Sequence, residues 1–425
     1  MSDHGNRTEG PAPVGPARWA CVLIPLLTAL AAIVANLVAA HVAPGRRIQD
    51  EQIYLDDIGL LTTYGFTPEF LRGLVGPAGP LFQVVYWAAA PVTGLDPPAV
   101  RWVSMALTVV VILATAVALR RSGAAAALPR AVQLLVAPMV VVCGGLALTE
   151  MPALAAFSWH LPLLQGAGAP AAGRGRRLAF GAAAGLLVGV AVCGRQNFLM
   201  AIPALAALVV AGGRRWAGPA AAAAAAAAAI PAALFAVWGG MVPPQTAWVS
   251  GLAPAHGLLA FAYAGIVYCL FDVRWLVRHW PVWLALLACS VAANAATGWL
   301  DYVPMKTTAT NVLGRFTDVY AVVSSGLLAG FGLVFLAHLL RLLWANRSDP
   351  VPAYLVAFTG LLLASCARIA HQFSSRYIVL VAPALVVLAA LRDRPAAGET
   401  WGKAGRLAVG SAIGLSSLCA YYFGG

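Results

Sequence analysis

Charge is what this sequence has least of. Only 10% of its 425 residues are Asp, Glu, Lys or Arg, against about 25% in a soluble globular domain. Too few ionised side chains are present to cover a water-facing surface. Acids are the scarcer sign, 15 against 27 Lys and Arg. No Cys-x-x-Cys occurs, and the seven cysteines stand singly, mostly inside apolar runs. That pattern excludes a zinc or thiol-redox motif and reads as small packing residues. The loops GxxxxGK[S/T] and GxGxxG are missing, as is HExxH, so no cytosolic nucleotide site is encoded.

What is there is apolar. Hydrophobic residues make up 61% of the chain and its mean hydropathy is +0.83. This is the composition of an integral membrane protein. No hydrophilic block is long enough for a soluble domain. Residues 1–18, polar and rich in Pro and Gly, read as a disordered cytoplasmic tail. Residues 19–425 read as a single membrane domain, with an outer loop over 44–97. The net charge of +12 flanks apolar segments, so it reports topology and not a nucleic-acid partner.

The run over 19–43 is longer than the ~7–15 residues of a signal-peptide core, so a retained helix is expected. Apolar runs recur to residue 423 and predict an all-α polytopic protein of about thirteen transmembrane helices. The run over 81–95 is short and broken by Pro91. It is expected as an interfacial or re-entrant helix of the first outer loop. With the N-terminus placed in the cytoplasm, the 27 basic residues divide 18 inside to 9 outside, as the positive-inside rule expects. The acids lean outward, nine of the 15. Chemistry is therefore expected on the outer face.

Five carboxylates, Asp50, Glu51, Asp56, Asp57 and Glu69, fall within twenty residues of the first outer loop. Asp56 and Asp57 read as solvated or capping residues. Asp50 and Glu51 are candidate bases. Glu150 precedes Pro152 on the next outer loop. Arg195 sits between two apolar spans joined by almost nothing, where an unpaired charge is costly. Arg376 is placed similarly. Both guanidinium forks match phosphate oxygens. Lys306 and Arg315 lie in a Thr-rich outer loop as acceptor-side or rim charges.

The order of these patches carries a resemblance. An apolar first helix, then Asp50-Glu51, then the turn Gly76-Pro77-Ala78-Gly79-Pro80-Leu81-Phe82, resembles the integral-membrane glycosyltransferases of the GT-C superfamily. Leu148-Thr149-Glu150-Met151-Pro152 stands where those families often carry a second acid. Gly194-Arg195-Gln196-Asn197 is similar to the Arg-Gln-x-Asn segment of the dolichyl-phosphate-glucose α-1,2-glucosyltransferase family. Ser374-Ser375-Arg376-Tyr377 with Pro383 resembles the Arg-Tyr-x(n)-Pro motif of bacterial members and of the protein mannosyltransferases. The mannosyltransferases carry His-Pro-Pro-Leu-Gly-Lys where this chain has Gly76 to Leu81. No Trp-Trp-Asp occurs, as an oligosaccharyltransferase would require.

The resemblance implies a GT-C-like fold and an inverting sugar transfer on the extracytoplasmic face. The donor it implies is a polyprenyl-phosphate sugar; the acceptor is a hydroxyl on a glycan, lipid or protein. It implies Asp50 as base, with Glu51 as rival, and Arg195, Asn197, Arg376 and Tyr377 at the donor phosphate. Asp50 and Glu150, on separate loops, could hold a divalent metal. The related enzymes with polyprenyl-monophosphate donors imply metal-independent chemistry, so no cofactor is expected. A multi-pass transporter or flippase of a lipid-linked or small polar substrate is the alternative. Against it, charges gather at one face and the halves show no repeat.

Overall fold

The structure, a computed structural model, describes residues 16–43, 45–249, 251–277, 280–304, 306–392 and 399–424. Every element assigned among them is helical. In chain order the helices are α1 (Pro16–Val42), α2 (Gln49–Tyr64), α3 (Pro68–Gly73), α4 (Leu81–Thr93), α5 (Ala99–Arg121), α6 (Ala127–Val132), α7 (Pro138–Gly145), α8 (Glu150–Ser158), α9 (His160–Ala167) and α10 (Arg174–Val192). They continue as α11 (Ala201–Gly212), α12 (Arg214–Trp238), α13 (Pro254–Phe271), α14 (Arg274–Val277), α15 (Trp280–Thr297), α16 (Lys306–Leu313), α17 (Thr317–Ala345), α18 (Pro350–Ser365), α19 (Ala382–Arg392) and α20 (Glu399–Phe423).

Among the described residues, eight helical stretches are long and apolar enough to cross a membrane, so this is an integral membrane protein. A ninth arises if Ala127–Val136 and Pro138–Gly145, bent by 77° at their junction, form one span. Three shorter apolar helices, Leu81–Thr93, Gln196–Gly212 and Ser375–Leu391, accompany them. Prolines explain why several predicted spans are broken. Pro138 disfavours helix at Ala137 and begins α7 in a new direction. Pro162, three residues into α9, has no N–H to continue α8. Gln196–Met200 is a 3₁₀ segment ahead of α11. Of the tail expected over 1–18, residues 16–18 belong to α1, and residues 1–15 lie outside the described ones.

The expected outer loop is largely helical. At 13 residues, α4 is about 20 Å long, short of the ~30 Å hydrocarbon core. In α2 the buried positions are Glu51, Tyr54, Leu55, Asp57, Ile58 and Leu61. That spacing makes one helical face, and two of its members are acids. Asp57, expected to be solvated or capping, is buried instead, and it accepts hydrogen bonds from the N–H groups of Val75 (3.3 Å) and Gly76 (3.2 Å). Burial raises its pKa above the ordinary 3.8. Asp56 is exposed and pairs with Arg47 at 3.3 Å.

Small residues set the closest helix contact. On α10, Gly181, Gly185 and Gly189 face α12. A Cβ on Gly181 would stand 2.4 Å from the Pro219 carbonyl oxygen, and one on Gly185 would stand 2.1 Å from that of Ala223. The alanine run of α12 buries Ala220, Ala223 and Ala227 on this side. Removing side chains lets the two backbones touch, which is how helices pack tightly in lipid.

Candidate active site

The turn 76–81 fastens the acidic helix to the Arg195 loop. Gly76 lies against the Tyr54 ring, where a Cβ would meet a ring carbon at 2.3 Å. Gly79 lies against the Cys193 carbonyl oxygen, which a Cβ would approach to 2.1 Å. That oxygen accepts from the Leu81 N–H at 3.1 Å. The Gln196 amide donates to the Pro77 carbonyl at 3.0 Å. Small residues are needed here because backbone lies on backbone. So the Gly/Pro turn positions two elements of the site and carries no reacting group.

Four segments far apart in sequence meet on this scaffold. Asp50, in the first turn of α2, pairs with Arg376 at 2.5 Å. Both stay open, with 40% of the Asp50 side chain and 20% of the Arg376 side chain exposed. The Arg376 Nε donates to the Ser374 hydroxyl at 3.2 Å, which fixes the guanidinium. Beside them Glu150, at the head of α8, is fully buried and pairs with Arg195. The Arg195 guanidinium lies 5.8 Å from the centroid of the Tyr377 ring. Its Nε is buried and has no hydrogen-bond partner among the described residues. A buried guanidinium with an unused N–H can donate it to an anion's oxygen.

Tyr54, one turn on from Asp50, completes the cluster. It is buried, and that burial pushes its hydroxyl up to about 12. The charges of Arg195, Glu150, Arg376 and Asp50 all reach it. The signal that could have found it is its place four residues after Asp50.

Glu51 is placed elsewhere. It points inward and is wholly buried. One of its oxygens accepts from Arg101 Nε (2.9 Å) and from the Ala147 N–H (2.9 Å). The other accepts from Arg101 Nη2 (2.8 Å) and from the Ile48 N–H (3.0 Å). Arg101 also donates to the Asn36 side chain (3.4 Å) and the Arg46 carbonyl (3.1 Å), and its guanidinium lies 4.7 Å from the centroid of the Tyr422 ring. This network ties α1, α2, α5, α20 and the segment before α8 together. Every Glu51 lone-pair direction is occupied, which leaves Asp50 as the open carboxylate of the pair.

Among the described residues, neither Asn197 nor Arg315 is joined to this cluster by a side-chain hydrogen bond or ion pair. The Asn197 amide donates to the Ser365 hydroxyl at 2.8 Å. Arg315 is exposed, its guanidinium 5.1 Å from the centroid of its neighbour Phe316, and nothing among the described residues links it to the cluster. The Lys306 side chain lies outside the described residues. No three His, Cys, Asp or Glu side chains converge as metal ligands among the described residues.

No family model matches the chain, and no curated protein matches it in sequence. Among solved structures it is similar to ArnT from Cupriavidus metallidurans bound to undecaprenyl phosphate. The identity there is 17% and the TM-score 0.46, over 92% of this chain and 62% of that one. ArnT in the apo state aligns at 14% identity and a TM-score of 0.42, over 94% and 77%. The Archaeoglobus fulgidus oligosaccharyltransferase in the apo form aligns at 14% identity and 0.39, over 86% and 56%. This chain thus spans 62% of the length of the first of these proteins.

Proposed function

We propose that this chain is a GT-C-type membrane glycosyltransferase that moves a sugar from a polyprenyl-phosphate donor to an acceptor hydroxyl, with inversion. The observation that carries the reading is the meeting of the motif residues. Asp50, Glu150, Arg195 and Arg376, spread over more than three hundred positions, form two adjacent acid–arginine pairs. One pair is open and the other is buried.

The division of labour follows from that difference. Asp50, exposed and acceptor-only when ionised, takes the proton of the attacking hydroxyl. The hydroxyl oxygen then bonds to the anomeric carbon as the bond to the donor phosphate breaks. Phosphate is a good leaving group, so the site needs cations and no general acid. Arg376 and the free Nε of Arg195 meet the charge that develops on it. Tyr377 steadies Arg195 through its ring face. Glu150 keeps Arg195 in place in a dry setting. Both candidate metal carboxylates already face a guanidinium, so the reading invokes no metal ion. The site lies on the extracytoplasmic face under the charge bias of the loops, with the N-terminus in the cytoplasm.

The test uses the full chain in nanodiscs with polyprenyl-phosphate sugars carrying labelled hexose or pentose. Label should leave the polyprenyl phosphate in the presence of membrane-extracted acceptors. An intact donor across the whole set would refute the reading.

A further inference from the structure

A second charged site lies at the other end of α10. That helix runs 19 residues from Arg174 to Val192, just before Arg195. At 1.5 Å per residue it is about 28 Å long, close to one hydrocarbon thickness. Its start therefore faces the opposite membrane surface from Asp50. There Arg174 and Arg177 of α10 meet Arg214 and Arg215 of α12 around a cavity of about 260 Å³. Leu178 and Pro219 form its apolar floor.

The convergence is built in. Gly181 and Gly185 bring the α10 backbone onto α12, so the first turns of both helices are held side by side. Two of the guanidiniums are pinned to backbone. Arg177 donates to the Ala167 carbonyl at 3.1 Å and to that of Arg215, and Arg215 donates to that of Gly168 at 2.8 Å. Arg174 and Arg214 make no hydrogen bond or ion pair among the described residues. Asp349 lies at this end, next to Pro350, which packs near Gly212. No ion pair links it to the four arginines among the described residues.

Topology alone asks for basic residues at such an end. It does not ask for four of them around one cavity, where they repel each other. Two helix N-termini add partial positive charge of the same sign. Arg174, Arg214 and Arg215 are exposed there, so water screens much of that repulsion, and the arrangement is suited to a phosphate, which two unpaired guanidinium forks can grip bidentately. The position is that of lipid headgroups, and the floor is apolar. Basic pockets between transmembrane helices on this side commonly take such groups.

We propose that this pocket binds the phosphate headgroup of an anionic membrane lipid. The test is native mass spectrometry of the full chain released from nanodiscs of phosphatidylglycerol or of phosphatidylcholine. Phosphatidylglycerol should stay bound and phosphatidylcholine should not. R174Q/R214Q removes the two arginines without partners and should weaken retention roughly fivefold per arginine. R120Q/R347Q removes two exposed arginines that do not line the pocket, and retention should persist. Equal retention of both lipids by the wild type overturns the proposal, and that comparison stands even if a variant misfolds. Equal loss in the control variant also overturns it, by assigning the effect to bulk charge. Thermal stabilisation of the lipid-free protein by inorganic phosphate, matching that by phosphatidylglycerol, assigns the site to a soluble anion instead.

Discussion

Replacing Glu51 by Gln separates a structural carboxylate from a catalytic one. Glu51 accepts four hydrogen bonds, two of them from Arg101. Glutamine keeps the shape but turns one acceptor oxygen into a donor. That NH2 then faces N–H groups, and Arg101, itself 3% exposed, is left as a buried charge without its counter-charge. Breaking such a pair costs about 3–5 kcal/mol. The expected result is a lower unfolding temperature in detergent, with turnover per folded molecule largely kept. Arg101→Met should destabilise by a similar amount. The double variant should be less damaged than the sum of the two, because no unpaired charge remains. Thermal unfolding of the four proteins closes this cycle. Additive effects would refute the coupling. A stable Glu51→Gln protein with no turnover would make Glu51 the base.

Three further outcomes are expected. Arg376→Ala should lower the transfer rate by at least tenfold, and Arg376→Lys should recover only part, since lysine lacks the fork that matches a phosphate; steady-state rates decide it, and full activity in the alanine variant removes Arg376 from the site. Gly79→Ala should push the turn off the Cys193 carbonyl, where the new Cβ would stand 2.1 Å away, and should lower both stability and turnover; an unchanged protein would show the turn is not a fastener. Burial raises the folded pKa of Asp57, so its contribution to stability is fully present below the ordinary value near 3.8 and fades as pH rises through the raised one. Asp57→Asn should flatten stability against pH in that window, and parallel wild-type and variant curves would contradict the burial argument.

Much of the site was legible because charge is rare in this chain. Asp50 is the first carboxylate after the first apolar helix, Glu150, Arg195 and Arg376 stand at the ends of apolar runs, and an acid or base at the end of a span seldom goes unpaired. The partners were not legible. Glu51 stands beside Asp50 in sequence, but adjacent helical residues point about 100° apart, and its partner Arg101 is fifty positions on. Asp57 read as solvated or capping because nothing local announces that Val75 and Gly76 fold back onto it. The helix count was blurred for a different reason. Hydropathy counts apolar residues and cannot see that Pro138 and Pro162 break the runs it joins. The turn 76–82 was recognised by pattern, while its work, holding Tyr54 and the Cys193 carbonyl, depends on contacts between distant segments.

The central claim is that Asp50 takes the acceptor's proton. Asparagine at this position keeps the size and one acceptor oxygen but cannot take a proton. The most direct measurement is single-turnover sugar transfer by Asp50→Asn against wild type, with donor affinity measured on the same samples. The rate should fall by about 10² to 10⁴. Donor affinity should hold or rise, because Arg376 loses the carboxylate that competes with the phosphate. An Asp50→Asn protein that transfers sugar at the wild-type rate would contradict the account.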